Sequence, residues 1–96
     1  MTTIALPQRL TMGEAAAELM RLQPLLQAAD EAVLDASALC ELDTAAIALL
    51  LACQRQAAAA GRTLRVSSPP PKLVQLAQLY GVESLLGLEA ARWLSG

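Results

Sequence analysis

The 96-residue chain contains no histidine and no phenylalanine, and Tyr80 and Trp93 are its only aromatic residues. Without histidine, neither a Ser-His-Asp triad nor a Cys-His nucleophile pair can be assembled within the chain. Its two cysteines, Cys40 and Cys53, are not part of a Cys-x-x-Cys motif, and a metal site needs more ligands than they offer. The glycines stand at 13, 61, 81, 87 and 96, too dispersed for a dinucleotide-binding or phosphate-binding loop. The seven basic residues are scattered and the net charge is −2, which removes the electrostatic reason to expect nucleic acid or an anionic membrane as partner. Neither cofactor nor metal nor catalytic residue is expected. The longest small-and-apolar run, Ala45 to Cys53, falls far short of the roughly 20 residues that span a bilayer, so no direct membrane insertion is expected. The opening residues, MTTIALPQRLTMGEA, have no basic stretch followed by a long apolar one, so a cytoplasmic location with reduced thiols is expected.

What is present is aliphatic. Hydrophobic residues make up 55% of the chain, nearly all Ala, Leu, Val and Ile, enough for one packed core in one domain over residues 1–96. Thr3 to Leu6 reads as a short strand ended by Pro7, which leaves little room for a second strand before the first helix. Thr11 and Glu14 have the spacing of a capping box, and apolar residues then recur at three- and four-residue steps to about Ala29. Pro24 lies inside that pattern and is expected to kink or divide the helix. Ala32 to Ser37 reads as a buried central strand, and a long helix follows from Asp43 or Thr44 to about Ala60, with Gly61 as its left-handed stop. Thr63 to Ser67 alternates as a strand, with Val33, Leu34, Leu64 and Val66 expected in the core. A stiff turn at Ser68 to Pro71 leads to a third helix over Lys72 to Leu79, stopped by Tyr80-Gly81. Glu89 to Leu94 reads as a short closing helix. Strand–helix alternation implies crossover connections and an α/β fold.

The paired carboxylates, Asp30 with Glu31 and Glu41 with Asp43, read as solvated loop residues rather than an acid–base couple. Chemistry concentrates instead in Val33 to Ile47, a buried strand, a polar turn and a helix opening on Asp43-Thr44 followed by small residues. This stretch resembles the STAS domain, the family of anti-sigma factor antagonists and related subunits. Asp35 matches the family's strand aspartate, Leu39 and Leu42 its hydrophobic turn positions, and Asp43, Thr44, Ala45 and Ile47 its helix-start motif. Ala46 departs from the family's glycine. The resemblance implies a single STAS-type domain with a mixed four- or five-stranded sheet, covered mainly on one face by about four helices.

It also implies a role. Thr44 matches the family's phosphoacceptor, and Glu41, Asp43, Thr44, Ala45, Ala46, Ala48 and Leu49 become the candidate partner-binding residues. With Ile47, Leu50, Leu51 and Ala58 facing the sheet, Ala48, Leu49 and Ala52 would point sideways or outward, and Leu49 would centre a flat apolar surface unless a neighbouring helix covers it. Capping alone would also account for Asp43 and Thr44. The compact size and the Leu-Ala-Gln-Leu-Tyr-Gly segment at 76–81 look most like the STAS subunit of the Mla-type phospholipid ABC transporter of Gram-negative bacteria. That resemblance implies a non-catalytic protein at the inner-membrane face that binds and regulates the transporter's ATPase. The alternative is an anti-sigma factor antagonist that captures an anti-sigma factor kinase and is controlled by phosphorylation at Thr44.

Overall fold

The computed structural model describes residues 1–89, and all but the first residue of the expected closing helix at Glu89 to Leu94 lies outside them. Three strands, β1 (Thr2–Ala5), β3 (Glu31–Asp35) and β5 (Thr63–Ser67), form a sheet in the order β1-β3-β5. Helices α1 (Met12–Gln27) and α2 (Thr44–Ala59) make the two crossovers. Both crossovers step in the same direction across the sheet, so right-handedness places both helices on one face. A second sheet pairs β2 (Arg9–Leu10) with β4 (Glu41–Leu42), and a third helix, α3 (Pro71–Leu79), packs against α2. A single turn of 3₁₀-helix at Glu83–Leu85 precedes a bridge between Val66 and Leu88.

The α/β class and one-sided helical cover agree with the sequence reading, but the main sheet is smaller than expected. Every strand pair among the described residues runs parallel, so the expected mixture of directions is absent from them. The pleat explains a further correction. Leu34, Leu64 and Val66 face the helices and are buried, whereas Val33 sits on the opposite face and is only half-buried. In register across that face stand Thr3, Val33 and Arg65, of which Thr3 and Arg65 are exposed.

Pro24 does not divide α1. It sits one turn from the end, so the helix loses a single hydrogen bond and runs only three residues further, while the Pro24 carbonyl still accepts from Ala28. The second strand near Pro7 exists but is two residues long. The core is built mainly of leucine and alanine, with Leu10, Leu22, Leu34, Leu50 and Leu73 fully enclosed. Each such leucine contributes about 1.5–3 kcal/mol of burial free energy. Cys53 is buried among them, and its thiol is pushed up to about 11 by that burial.

One tie escaped the sequence reading. The Gln54 side-chain amide donates to the carbonyls of Leu64 at 2.8 Å and Leu86 at 2.9 Å, pinning α2 to β5 and to the segment after α3. Gly87, at φ +68, lies so close that a Cβ there would come within 2.4 Å of the Gln54 amide nitrogen.

Candidate functional site

The site begins with the two-residue strands. Their parallel register sets Arg9 beside Glu41 and Leu10 beside Leu42, so one residue later Thr11 and Asp43 arrive together, each with extended backbone. Each is the N-cap of a helix. The β2–β4 pair therefore delivers the N-termini of α1 and α2 side by side, and the fully enclosed Leu10 and the buried Leu42 anchor both chains beneath them.

The two caps work differently. Asp43 Oδ1 accepts from the Ala45 amide at 2.8 Å, the ordinary cap of its own helix. Its other oxygen, Oδ2, accepts from the Met12 amide of α1 at 3.2 Å. On α1, the Glu14 carboxylate accepts from the Thr11 amide at 3.2 Å, the capping-box contact the sequence spacing anticipates, and also from the Thr11 hydroxyl. That hydroxyl, with help from Arg9, holds Glu14 below its ordinary carboxylate range. Arg9 lies 2.9 Å from Glu14 and 3.6 Å from Glu41, an exposed cation shared by two carboxylates.

Of the expected contact residues, Glu41, Thr44 and Ala48 are exposed and Asp43 and Ala45 half-buried. Two expectations fail. Leu49 is 3% exposed because α1 lies alongside α2 and covers it, so it cannot centre an outward surface. Ala46 is fully buried beneath the first turn of α2 and is out of a partner's reach. The assignment of the α2 faces shifts with them. Ala46, Ile47, Leu49, Leu50 and Cys53 point inward, Leu51 is half-buried, and Ala58, expected against the sheet, is exposed.

What the surface offers is a groove. Ala15, Ala16 and Leu19 of α1 face Ala45, Ala48 and Leu49 of α2 around about 230 Å³, with no charged residue in the lining. Met12, 80% exposed, lies one turn before Ala15 and Ala16 on α1, and Met20 is exposed further along the helix. These α1 residues were missed because helical periodicity separates inward from outward positions but says nothing of which second helix lies alongside. The step from Arg9-Leu10-Thr11 to Glu41-Leu42-Asp43, the same order of charged residue, leucine and cap, was the available signal. Asp35, the expected strand aspartate, ends β3 with its Oδ1 accepting from the Ser37 amide at 2.9 Å, a local turn that holds it below its ordinary range.

At the far end of the same helix pair, a cavity of about 350 Å³ opens among Leu26, Ala29, Ala32, Ala57, Arg62 and Leu64. There the Arg62 guanidinium donates to the Leu26 carbonyl at 3.1 Å. Among the described residues no group of three or more acidic or cysteine side chains is placed to hold a metal ion, and no helix is long and apolar enough to cross a membrane.

Comparison with solved structures places this arrangement among known folds. The anti-sigma factor antagonist SpoIIAA in its unphosphorylated form superimposes with a TM-score of 0.74 at 16% identity, covering 97% of this chain and 84% of that one. The phosphorylated form of SpoIIAA, a Bacillus cell fate determinant, gives 0.69 at 16% identity, with 97% and 86% covered. A putative anti-sigma factor antagonist from Thermotoga maritima gives 0.78 at 12% identity, with 97% and 83% covered. At these identities the likeness is one of fold. No curated protein sequence was found that matches the chain. A family model described as "Mlab, STAS domain" matches residues 2–87, nearly the whole chain. On that match, carried by a parallel sheet whose second crossover helix opens on Asp43-Thr44, the chain belongs to the STAS domain family.

Proposed function

We propose that this protein is a non-catalytic docking subunit that binds and regulates the ATPase of a phospholipid-trafficking ABC transporter of the Mla type. It works in the cytoplasm at the inner-membrane face, held there by its partner. The observation that carries the reading is the pairing of an exposed Thr44 with the uncharged groove between α1 and α2. An apolar, desolvatable centre beside a polar rim is the anatomy of a protein–protein contact. The family description, "Mlab, STAS domain", supports the transporter version. The absence of histidine and of any phosphate-binding loop supports a subunit that acts by contact rather than by chemistry.

A second reading stands on Thr44 itself. Its exposure at the first position of α2 is what a phosphoacceptor requires, and SpoIIAA, solved in both phosphorylated and unphosphorylated forms, shares the fold. In this reading the protein is an anti-sigma factor antagonist whose capture of a kinase ends when Thr44 is phosphorylated. A phosphate there adds about −1.5 to −2 charges at the edge of an apolar contact and breaks it without refolding the domain.

Co-purification separates the two readings. The full chain should retain a transporter ATPase and not an anti-sigma factor kinase. Ala48→Glu puts a charge into the groove and should weaken retention at least about tenfold, near 1.4 kcal/mol. Unchanged retention by a folded Ala48→Glu variant would remove this face from the interface.

A further inference from the structure

We infer that Asp43 couples the two helices, so that a negative charge brought to Thr44 is transmitted through its carboxylate to the first turn of α1 and resets the groove between them. The inference rests on the docking role proposed above for its biological use, but not for its physical basis.

The basis is a divided carboxylate. Oδ1 serves α2 through the Ala45 amide at 2.8 Å, and Oδ2 serves α1 through the Met12 amide at 3.2 Å. One charge thus sits at the positive ends of two helix dipoles. The register of β2 against β4 makes this reach possible, because it brings Asp43 level with Thr11, one residue before Met12. Thr11 does not meet the need by itself, since a capping side chain reaches the second or third amide of its helix and Met12 carries the first. The Glu14 and Ala15 amides turn back to the Thr11 carbonyl, both at 3.0 Å. Asp43 is accordingly the partner of Met12 from outside α1.

The two bonds are unequal. The one to Met12 is longer and exposed to water, so it yields first when the carboxylate is disturbed. A negative charge on residue 44 adjoins Asp43 in the chain and repels its carboxylate. Asp43 keeps its own helix and gives up the other. The first turn of α1 leads directly to Ala15, Ala16 and Leu19, which form one wall of the groove. No charged residue or ion pair lies in that lining, and Ala15 and Leu19 rest on the core by non-directional apolar contact alone, so a small shift of the turn is passed to the wall. Arg9 does not duplicate the tie, because it pairs with Glu14 and Glu41 and makes no contact with Asp43 within ion-pair distance.

The test uses the protein alone, with Glu at position 44 as the charge probe. Asn caps a helix as well as Asp does. Asp43→Asn therefore preserves an acceptor for Ala45 and turns an amide nitrogen toward the Met12 N–H, donor against donor. Backbone amide exchange with solvent and amide chemical shifts would be read by NMR in wild type, Thr44→Glu, Asp43→Asn and the double variant. Thr44→Glu should raise Met12 exchange about tenfold and shift the Ala16 and Leu19 signals. Asp43→Asn should do the same, and the double variant should show no further change. The inference is overturned if Thr44→Glu leaves Met12, Ala16 and Leu19 as in wild type, or if the two substitutions act additively. Asp43→Ser, which caps α2 but is too short to reach Met12, provides the same comparison if the Asn variant does not fold. A positive NMR result together with failed ATPase retention would overturn the docking role and leave the coupling intact.

Discussion

The two ends of the α1–α2 seam solve one problem in opposite ways. At the upper end, an anion that caps α2 reaches across to the first amide of α1; at the lower end, Arg62, just beyond α2, reaches back to the Leu26 carbonyl near the end of α1. Each charge suits the helix end it meets, negative at the N-terminus and positive at the C-terminus. The surroundings differ. The upper contact stands beside a narrow groove with an uncharged lining and exposed Thr44 and Met12, while the lower opens on a larger cavity whose lining mixes alanine with Gln27, Gln56, Arg62 and Thr63. The lesson is that small residues along a seam let charged groups at the ends of one helix reach the backbone of the other.

Three experiments break or sharpen the contrast. The largest effect belongs to Leu49, buried in the floor of the upper groove. Leu49→Ala should cost about 2–5 kcal/mol of stability in urea unfolding, because it leaves a void under α1. A cost near zero would mean that α1 does not cover it. At the lower end, Arg62→Ala removes one tie and should cost about 0.5–1.5 kcal/mol. Partner retention should be unaffected, and a loss of retention greater than the loss of stability would erase the functional asymmetry between the ends.

The smallest effect is one of pH. Glu14 is held below its ordinary range by the Thr11 hydroxyl, and a carboxylate whose folded value is depressed stabilises the fold above its unfolded value. That stabilisation should be fully present near neutrality and lost as pH falls through the folded value. Urea midpoints collected from pH 7 down to pH 3 should therefore fall less steeply in Glu14→Gln than in wild type. Equal slopes would show that the Thr11–Glu14 contact contributes nothing at the upper end.

The helix starts were legible because caps are local chemistry. Thr11 with Glu14, and Asp43 before a small-residue run, announce themselves within four residues. Strand β5 was legible for the same reason, since Thr63 to Ser67 alternates with the pleat. The burial of Leu49 was not legible, because it depends on where α1 lies sideways. Val33 misled because an apolar strand with one covered face looks, in one dimension, like a strand covered on both. The β2–β4 pair is too short to carry any period, yet it brings the two caps together. Gln54 reads as an ordinary polar helix residue until Leu64 and Leu86, distant in sequence, arrive beside it. Local signals located the helix start at Asp43 or Thr44; the structure makes Asp43 the cap, and the long-range pairing supplied its second partner.

The strand order β1-β3-β5 follows the order of the chain. Among the described residues no later strand has to be inserted between two earlier ones, so the sheet can grow at a single edge. During synthesis, β3 leaves the ribosome with β1 and α1 already made, and β5 then finds its neighbour in place. A domain assembled this way never has to reopen a pairing to finish itself, which limits the time its apolar edges stand exposed. The segment that carries Leu86 and Gly87 follows all three strands in the chain. When Gln54 takes the Leu86 carbonyl, it closes over a sheet whose three strands have already met.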